Sequence, residues 1–320
     1  MCYNPQYIKL DGSTGSGAIA IMRNKGFLWQ EVSCKKCLEC KSVRARGVAL
    51  RSEFEMPTTE LSCFITLTYD NKHNPYFVVT KQWQDFIKRF RRQVDYHGKL
   101  KIRQLYSGEY GCSKTTNYRP HWHAIIYGYD FTDKYRIEDS DSGHPQYMSD
   151  TLDKLWGKGR AVVQHADEGT AYYAAKYSAK PQDLPDYLKN YPEVNRWSQG
   201  LGIELMAQKY YTWIKTDEVW CNGKAHPIPE ALFNYMARRH PKFEQLRENG
   251  YETTKALKQV KEYYMPEYGR IKRERRARAE HRKQELLAKY NGDVLQMLAD
   301  RKYVAESRHK RRRKGLDQIA

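Results

Sequence analysis

The chain has 320 residues, 40% of them hydrophobic, with 56 Lys and Arg against 38 Asp and Glu and a formal net charge of +18. The length suits one large or two modest domains, and that apolar share can build a core. No apolar run approaches the roughly 20 residues of a membrane span, so transmembrane, collagenous and globally disordered classes are excluded. The polar start, Met1-Cys2-Tyr3-Asn4-Pro5, has no secretory h-region. Seven cysteines, three of them between Cys34 and Cys40, do not read as a disulfide framework, and a reducing interior is expected. The basic balance points to a polyanionic partner, nucleic acid before an acidic membrane surface. The charge is uneven, since residues 270–314 hold 17 Lys and Arg against 6 Asp and Glu. Tyrosine is abundant at 26, and rings interleaved with bases suit stacking on single-stranded nucleic acid.

In chain order, residues 11–17 are Gly- and Ser-rich and read as a loop. A helix is expected over 43–54, with Arg44, Arg46 and Arg51 exposed. The β-branched and aromatic run 62–69 predicts a strand, and Asp70-Asn71-Lys72-His73-Asn74-Pro75 a turn. Thr80 is the expected N-cap of an amphipathic helix whose apolar residues Trp83, Phe86, Ile87, Phe90 and Val94 recur at helical spacing. Strands follow over 99–109 and 121–129, then a helix over 148–156 ended by Gly157, a short strand over 160–165, and a helix over 169–180 stopped by Pro181. This β-α-β-β-α-β order is the ferredoxin-like split pattern. The expected fold is α+β: an antiparallel, RRM-like sheet flanked by helices, with a helical basic C-terminal extension. Four segments result: a Cys-rich 1–58, a core 59–181, a mixed extension 182–268 and a basic tail 269–320.

Three groups of residues carry chemistry. His121 and His123 lie two apart on a strand, so both imidazoles share a face while Trp122 occupies the other. Antiparallel pairing can bring Glu109 beside them. Two imidazoles and a carboxylate bind a divalent ion and leave positions for substrate oxygens. On the 169–180 helix, Tyr173 and Tyr177 are four apart, with Lys176 and Lys180 on the same side and alanines between. A phenol is a poor nucleophile at neutral pH, and a neighbouring ammonium favours the phenolate. Together these residues specify a reaction in which a tyrosine attacks a metal-polarised phosphodiester, becomes joined to the 5′ phosphate and releases a 3′ hydroxyl, so that a later hydroxyl can reseal the strand. The third group is Cys34-x2-Cys37-x2-Cys40, a spacing expected by chance only about 0.003 times in such a chain. Three thiolates suit a closed zinc site with a fourth ligand. Cys2, His73 and Cys63 are the candidates, and an iron–sulfur cluster would use the same ligands. Finally, His309-Lys310-Arg311-Arg312-Arg313-Lys314 is a block of like charge suited to phosphate contact without sequence readout.

Phe64-Ile65-Thr66-Leu67-Thr68-Tyr69-Asp70, Arg119-Pro120-His121-Trp122-His123 and Tyr173-Ala174-Ala175-Lys176-Tyr177 resemble the three ordered motifs of HUH endonucleases. The variant is similar to the replication initiators of Microviridae, especially the gokushovirus-like branch. The resemblance covers roughly residues 1–180 and favours Cys2 as the fourth thiolate. It implies origin-specific nicking and joining of single-stranded DNA in rolling-circle replication. It further implies Mg²⁺ or Mn²⁺ at Glu109, His121 and His123, with Tyr173, Tyr177 and Lys176 catalytic, and Lys180, Arg311, Arg312 and Arg313 on DNA. A host helicase and polymerase in the bacterial cytoplasm would complete the process, and no membrane is involved. Two readings compete with it. A non-catalytic zinc-containing single-stranded nucleic-acid-binding or packaging protein leaves the His-x-His and the tyrosine helix unexplained. A zinc hydrolase built on His121 and His123 has no HExxH pattern to support it.

Overall fold

A computed structural model of the protein describes residues 2–9, 29–111, 117–140, 143–167 and 184–317. The 11–17 loop and the 169–180 helix lie outside the described residues. The chain forms two compact units, one from the described residues of 1–44 and 272–320 and the other from those of 45–271.

The larger unit is built on a seven-stranded antiparallel sheet. In chain order its strands are β3 (Ser62–Thr68), β4 (Arg103–Tyr110), β5 (Pro120–Tyr127), β6 (Lys134–Asp139), β7 (Pro145–Ser149), β8 (Ala161–His165) and β9 (Val194–Trp197); the smaller unit supplies β1 (Gln6–Lys9) and β2 (Trp29–Val32). The spatial order is β6-β7-β8-β3-β5-β4-β9. Its centre, β8-β3-β5-β4, is the arrangement that the β-α-β-β-α-β order dictates. Helix α1 is Leu38–Glu55, α2 is Thr80–Val94 and α3 is Asp150–Trp156.

Alternation along the strands divides the core between the two faces. On one, Ile65, Leu67, Trp122, Ala124, Ile126 and Val163 meet Trp83, Phe86 and Phe90 of α2 and Leu152 and Trp156 of α3. Each such ring is worth about 1.5–3 kcal/mol on burial. On the other, Phe64, Leu105, Ile125 and Tyr127 pack against Val48 and Ala49 of α1.

Several boundaries differ from expectation. Helix α1 starts at Leu38, and Arg51 is buried rather than exposed, because its Nε donates to the Leu201 carbonyl at 2.8 Å. Val79 caps α2 without a side-chain bond and Thr80 is its first residue. Met148 lies in β7, and α3 begins only after Ser149, whose Oγ accepts from Leu152 N at 3.1 Å. Strand β4 starts at Arg103 rather than residue 99, and β6, β7 and β9 were not expected.

The 182–268 segment gives the sheet its last strand and then a helical module: α4 (Ile203–Gln208), α5 (Tyr210–Thr216), a small hairpin β10 (Val219–Cys221) and β11 (Lys224–His226), α6 (Glu230–Arg239), α7 (Pro241–Glu248) and α8 (Thr253–Gln259). Its core holds Met206, Trp213, Leu232, Phe233 and Val260, and Leu50 of α1 joins it. A buried ion pair lies where α1, β4 and α4 meet. Glu55, fully buried, accepts from Arg103 Nη1 at 2.7 Å and from Gly202 N at 2.6 Å. Gly202 has φ +66°, and a Cβ there would stand 1.9 Å from the Arg51 carbonyl oxygen, so only glycine fits.

In the smaller unit β1 and β2 pair antiparallel, Gln6 opposite Val32 and Lys9 opposite Trp29. Helices α9 (Pro266–Ala288) and α10 (Val294–Asp317) carry the basic sequence, and Lys283 pairs with Glu31 and Arg301 with Glu39. Among the described residues no helix is long and apolar enough to cross a membrane.

Candidate active site

The strand register assembles two polar rows on the sheet face that also carries Phe64, Ile125 and Tyr127. In one row Glu109, His121 and Thr68 are neighbours on β4, β5 and β3. In the next, Asn195, Ser107, His123 and Thr66 run across β9, β4, β5 and β3. The row below is apolar: Trp197, Leu105, Ile125 and Phe64. A polar block thus ends an otherwise hydrophobic face.

Within the block, one ligand atom each from Glu109, His121 and His123 lies within 4.8 Å of the others. Glu109 is 1% exposed, and Ser107 Oγ donates to its Oε1 at 2.6 Å. His121 Nδ1 lies 3.4 Å from the Arg119 carbonyl oxygen, and His123 Nδ1 lies 3.0 Å from Thr66 Oγ1. With each Nδ1 engaged, Nε2 is the nitrogen left to a metal, and the outer partners fix both ring orientations. Phe64 stacks on the His123 ring at 5.6 Å between centroids and 11° between planes. Two imidazoles and one carboxylate fit a divalent ion with open positions.

The opposite face explains the local sequence. Trp122, between the two histidines, is buried and donates its indole N–H to Tyr69 Oη at 2.9 Å. Burial pushes the Tyr69 phenol up to about 12, against the pull of that hydrogen bond. The indole lies across Gly108, where a Cβ would come 2.6 Å from Trp122 Cζ3 and 2.7 Å from Val78 Cγ1. Glycine at 108 therefore admits Trp122, which anchors the strand segment bearing both imidazoles. Arg119 borders the block, its guanidinium donating to the Tyr69 carbonyl at 2.7 Å and to Asn71 Oδ1 at 2.5 Å.

The four cysteines Cys2, Cys34, Cys37 and Cys40 form a second cluster, their sulfurs within 4.8 Å of one another. Cys2 Sγ lies 3.5 Å from Cys34 Sγ and 3.6 Å from Cys37 Sγ. Cys34 N donates to Cys2 Sγ at 3.4 Å and Cys37 N to Cys34 Sγ at 3.2 Å. Burial opposes ionisation of Cys34, but amide donors from Cys37 and Lys36 and the neighbouring thiols outweigh it and hold its pKa down at about 7. The other candidate fourth ligands are engaged elsewhere: Cys63 is buried in the sheet core, and His73 Nδ1 lies 2.9 Å from the Asp70 carboxylate. Four thiols at this spacing could hold zinc.

Tyr173, Lys176, Tyr177 and Lys180 lie outside the described residues. Arg311, Arg312 and Arg313 lie on α10, with their side chains outside the description. His165, a sequence candidate for lining the site, pairs with Cys63 and so belongs to the face opposite His121 and His123. Thr66, Ser107 and Asn195 were missed. The first two could have been found by alternation, two residues from Thr68 and Glu109. Asn195 gave no signal, because its strand lies in a stretch of mixed pattern; both its amide atoms are buried without a hydrogen-bond partner among the described residues.

Residues 62–182 match the family model of replication-associated protein ORF2. The chain is 29% identical over 206 residues to replication-associated protein ORF2 of Spiroplasma virus 4, covering 61% of this chain and 63% of that protein. It is 31% identical over 206 residues to replication-associated protein ORF4 of Chlamydia phage 1, covering 61% and 51%. With replication-associated protein VP4 of Bdellovibrio phage phiMH2K it shares 29% over 219 residues, covering 65% and 68%. The chain thus spans less than two thirds of the first two relatives. No solved structure matches it.

Proposed function

Since the chain belongs, through residues 62–182, to the replication-associated protein ORF2 family, we propose that it initiates phage DNA replication as a metal-dependent HUH-type nickase and strand transferase. The observation that carries this reading is the convergence of Glu109, His121 and His123 on one sheet face, with ligand atoms within 4.8 Å. Mg²⁺ or Mn²⁺ held by these three side chains would supply Lewis-acid polarisation of a scissile phosphate.

The remaining work belongs to the protein. Ser107 and Thr66 hold Glu109 and His123 in place. The Tyr173 or Tyr177 phenol loses its proton, with Lys176 favouring the phenolate. Its oxygen then bonds to phosphorus as the bond from phosphorus to the 3′ oxygen breaks. The departing oxygen takes up a proton and leaves as a 3′ hydroxyl. The 5′-phosphotyrosine conserves the bond energy, so attack by another 3′ hydroxyl rejoins the strand, and two tyrosines allow cleavage and joining in one site. Lys180 and the Arg311–Arg313 block contribute phosphate contacts that are independent of sequence. Extension of the nicked strand falls to a host helicase and polymerase in the bacterial cytoplasm. Zinc on Cys2, Cys34, Cys37 and Cys40 would be structural.

The test uses single-stranded origin DNA with Mn²⁺ and a denaturing gel. A covalent protein–DNA adduct should form with the native chain and vanish in the Tyr173→Phe/Tyr177→Phe double variant. Tight binding without any adduct across a pool of origin sequences would replace this reading with that of a binding or packaging protein.

A further inference from the structure

Large aromatic side chains are seldom left in water in a cluster, because that forgoes their burial energy. Here Tyr76, Phe77, Tyr187 and Tyr191 are 75%, 36%, 62% and 44% exposed. Phe77 and Tyr191 come from distant parts of the chain and stack on one another at 4.3 Å, with planes 21° apart. Their position is held by the strand that carries Glu109. Tyr110 Oη donates to the Tyr191 carbonyl at 2.7 Å and accepts from Val78 N at 3.0 Å, and Tyr110 N donates to Glu193 Oε1 at 3.2 Å. One buried phenol, next in sequence to Glu109, therefore ties both ring-bearing loops to the end of β4.

The loop from residue 70 to 77 also spans the end of the sheet where the metal-ligand candidates lie. It leaves β3 just after Thr68, the register partner of His121, and ends at Val78 on Tyr110. Within it Tyr76 has φ +62°, a left-handed conformation costly for a bulky residue. Asn74 Oδ1 stabilises the turn by accepting from Tyr76 N at 3.0 Å. The backbone is thus strained at the residue whose ring is most exposed.

We infer that Tyr76, Phe77, Tyr187 and Tyr191 form a stacking platform for unpaired bases of the DNA strand that enters the site at Glu109, His121 and His123. The inference rests on the nickase reading for the identity of the strand. Every base has a π-face, so such a platform accepts any sequence but requires unpaired bases. It explains why the rings are exposed, why two are already stacked, and why they are fastened to the ligand-bearing strand. Arg119, on the other side of the 70–77 loop, supplies a positive charge for the backbone between platform and site.

The test is equilibrium binding in EDTA, which separates it from cleavage. Two probes of equal length and charge are compared: oligothymidylate, and a chain of abasic deoxyribose phosphates. The native protein should prefer oligothymidylate by about a hundredfold, as one or two stacked bases imply. The Phe77→Leu/Tyr191→Leu variant keeps apolar bulk without the π-faces. It should lose at least tenfold of that preference while binding the abasic chain as before, which also reports that it is folded. Tyr76→Gly, which suits the positive φ, and Tyr187→Leu provide a second variant pair with the same expectation. An unchanged preference in both pairs, or no preference in the native chain, overturns the platform. Because no metal is present, loss of the preference without any nicking by the native protein would sustain the platform and sink only the nickase reading.

Discussion

Gly108→Ala tests whether the packing beneath the sheet sets the geometry above it. The new methyl would come 2.6 and 2.8 Å from two atoms of the Trp122 ring and 2.7 Å from Val78 Cγ1, all well inside normal contact. The indole cannot swing away cheaply. It is 1% exposed, its N–H is bonded to Tyr69, and the Trp83 ring packs 5.5 Å from it. Overpacking of this kind costs about 1–3 kcal/mol. With roughly 2–4 °C per kcal/mol for a domain of this size, a cost near 2 kcal/mol lowers Tm by about 4–8 °C. Displacing Trp122 also tilts the backbone between His121 and His123, so Mn²⁺ affinity should fall together with stability. Thermal unfolding and metal titration measure the two effects. Trp122→Phe removes the ring atoms in conflict, so Gly108→Ala should cost less in that background, a coupling that a double-mutant cycle reads directly. An unchanged Tm and metal affinity in Gly108→Ala would refute the idea that this contact supports the ligand strand.

Other outcomes follow from particular contacts. Glu55→Ala leaves Arg103 facing an empty, buried partner position, and should destabilise the larger unit by about 3–5 kcal/mol in chemical denaturation. Tyr69 has a folded pKa raised by burial to about 12, above its ordinary value of 10. Its contribution to stability is complete below pH 10 and is lost as pH rises towards 12, so Tyr69→Phe should flatten the alkaline fall in stability over that window. Purified protein should carry zinc that Cys37→Ser releases, measured by atomic spectroscopy after desalting; iron in its place would indicate a cluster. Replacing Arg311, Arg312 and Arg313 with Ala should make DNA binding less salt-dependent, the log–log slope falling by about 0.9 for each phosphate these side chains neutralise.

Much of this was legible in the sequence because its physics is local. Strict alternation in Arg119-Pro120-His121-Trp122-His123 fixes which side chains share a face, and the pattern Trp83, Phe86, Ile87, Phe90 fixes the helix that covers the other. Cys34, Cys37 and Cys40 announce their own proximity by spacing; that Cys2 joins them depends on tertiary contact and could only be offered among alternatives. Long-range pairing was the main source of error. Strands β6 and β7 are polar and half-exposed, so they lack the apolar signal of a strand. Arg51 looked like a surface base because nothing nearby in sequence reveals its partner, the Leu201 carbonyl 150 positions away. The helical module after β9 is stitched from short helices, none long enough for periodicity to stand out, and its core closes only when all of them meet.

The most direct test of the central claim is Mn²⁺-dependent adduct formation by Glu109→Ala and His123→Ala beside the native chain, on single-stranded origin DNA. The account predicts a covalent adduct and a released strand with an extendable 3′ hydroxyl for the native protein. Both should be abolished by EDTA and lost in either variant while binding to the DNA is retained. Undiminished adduct formation by both folded variants would contradict it.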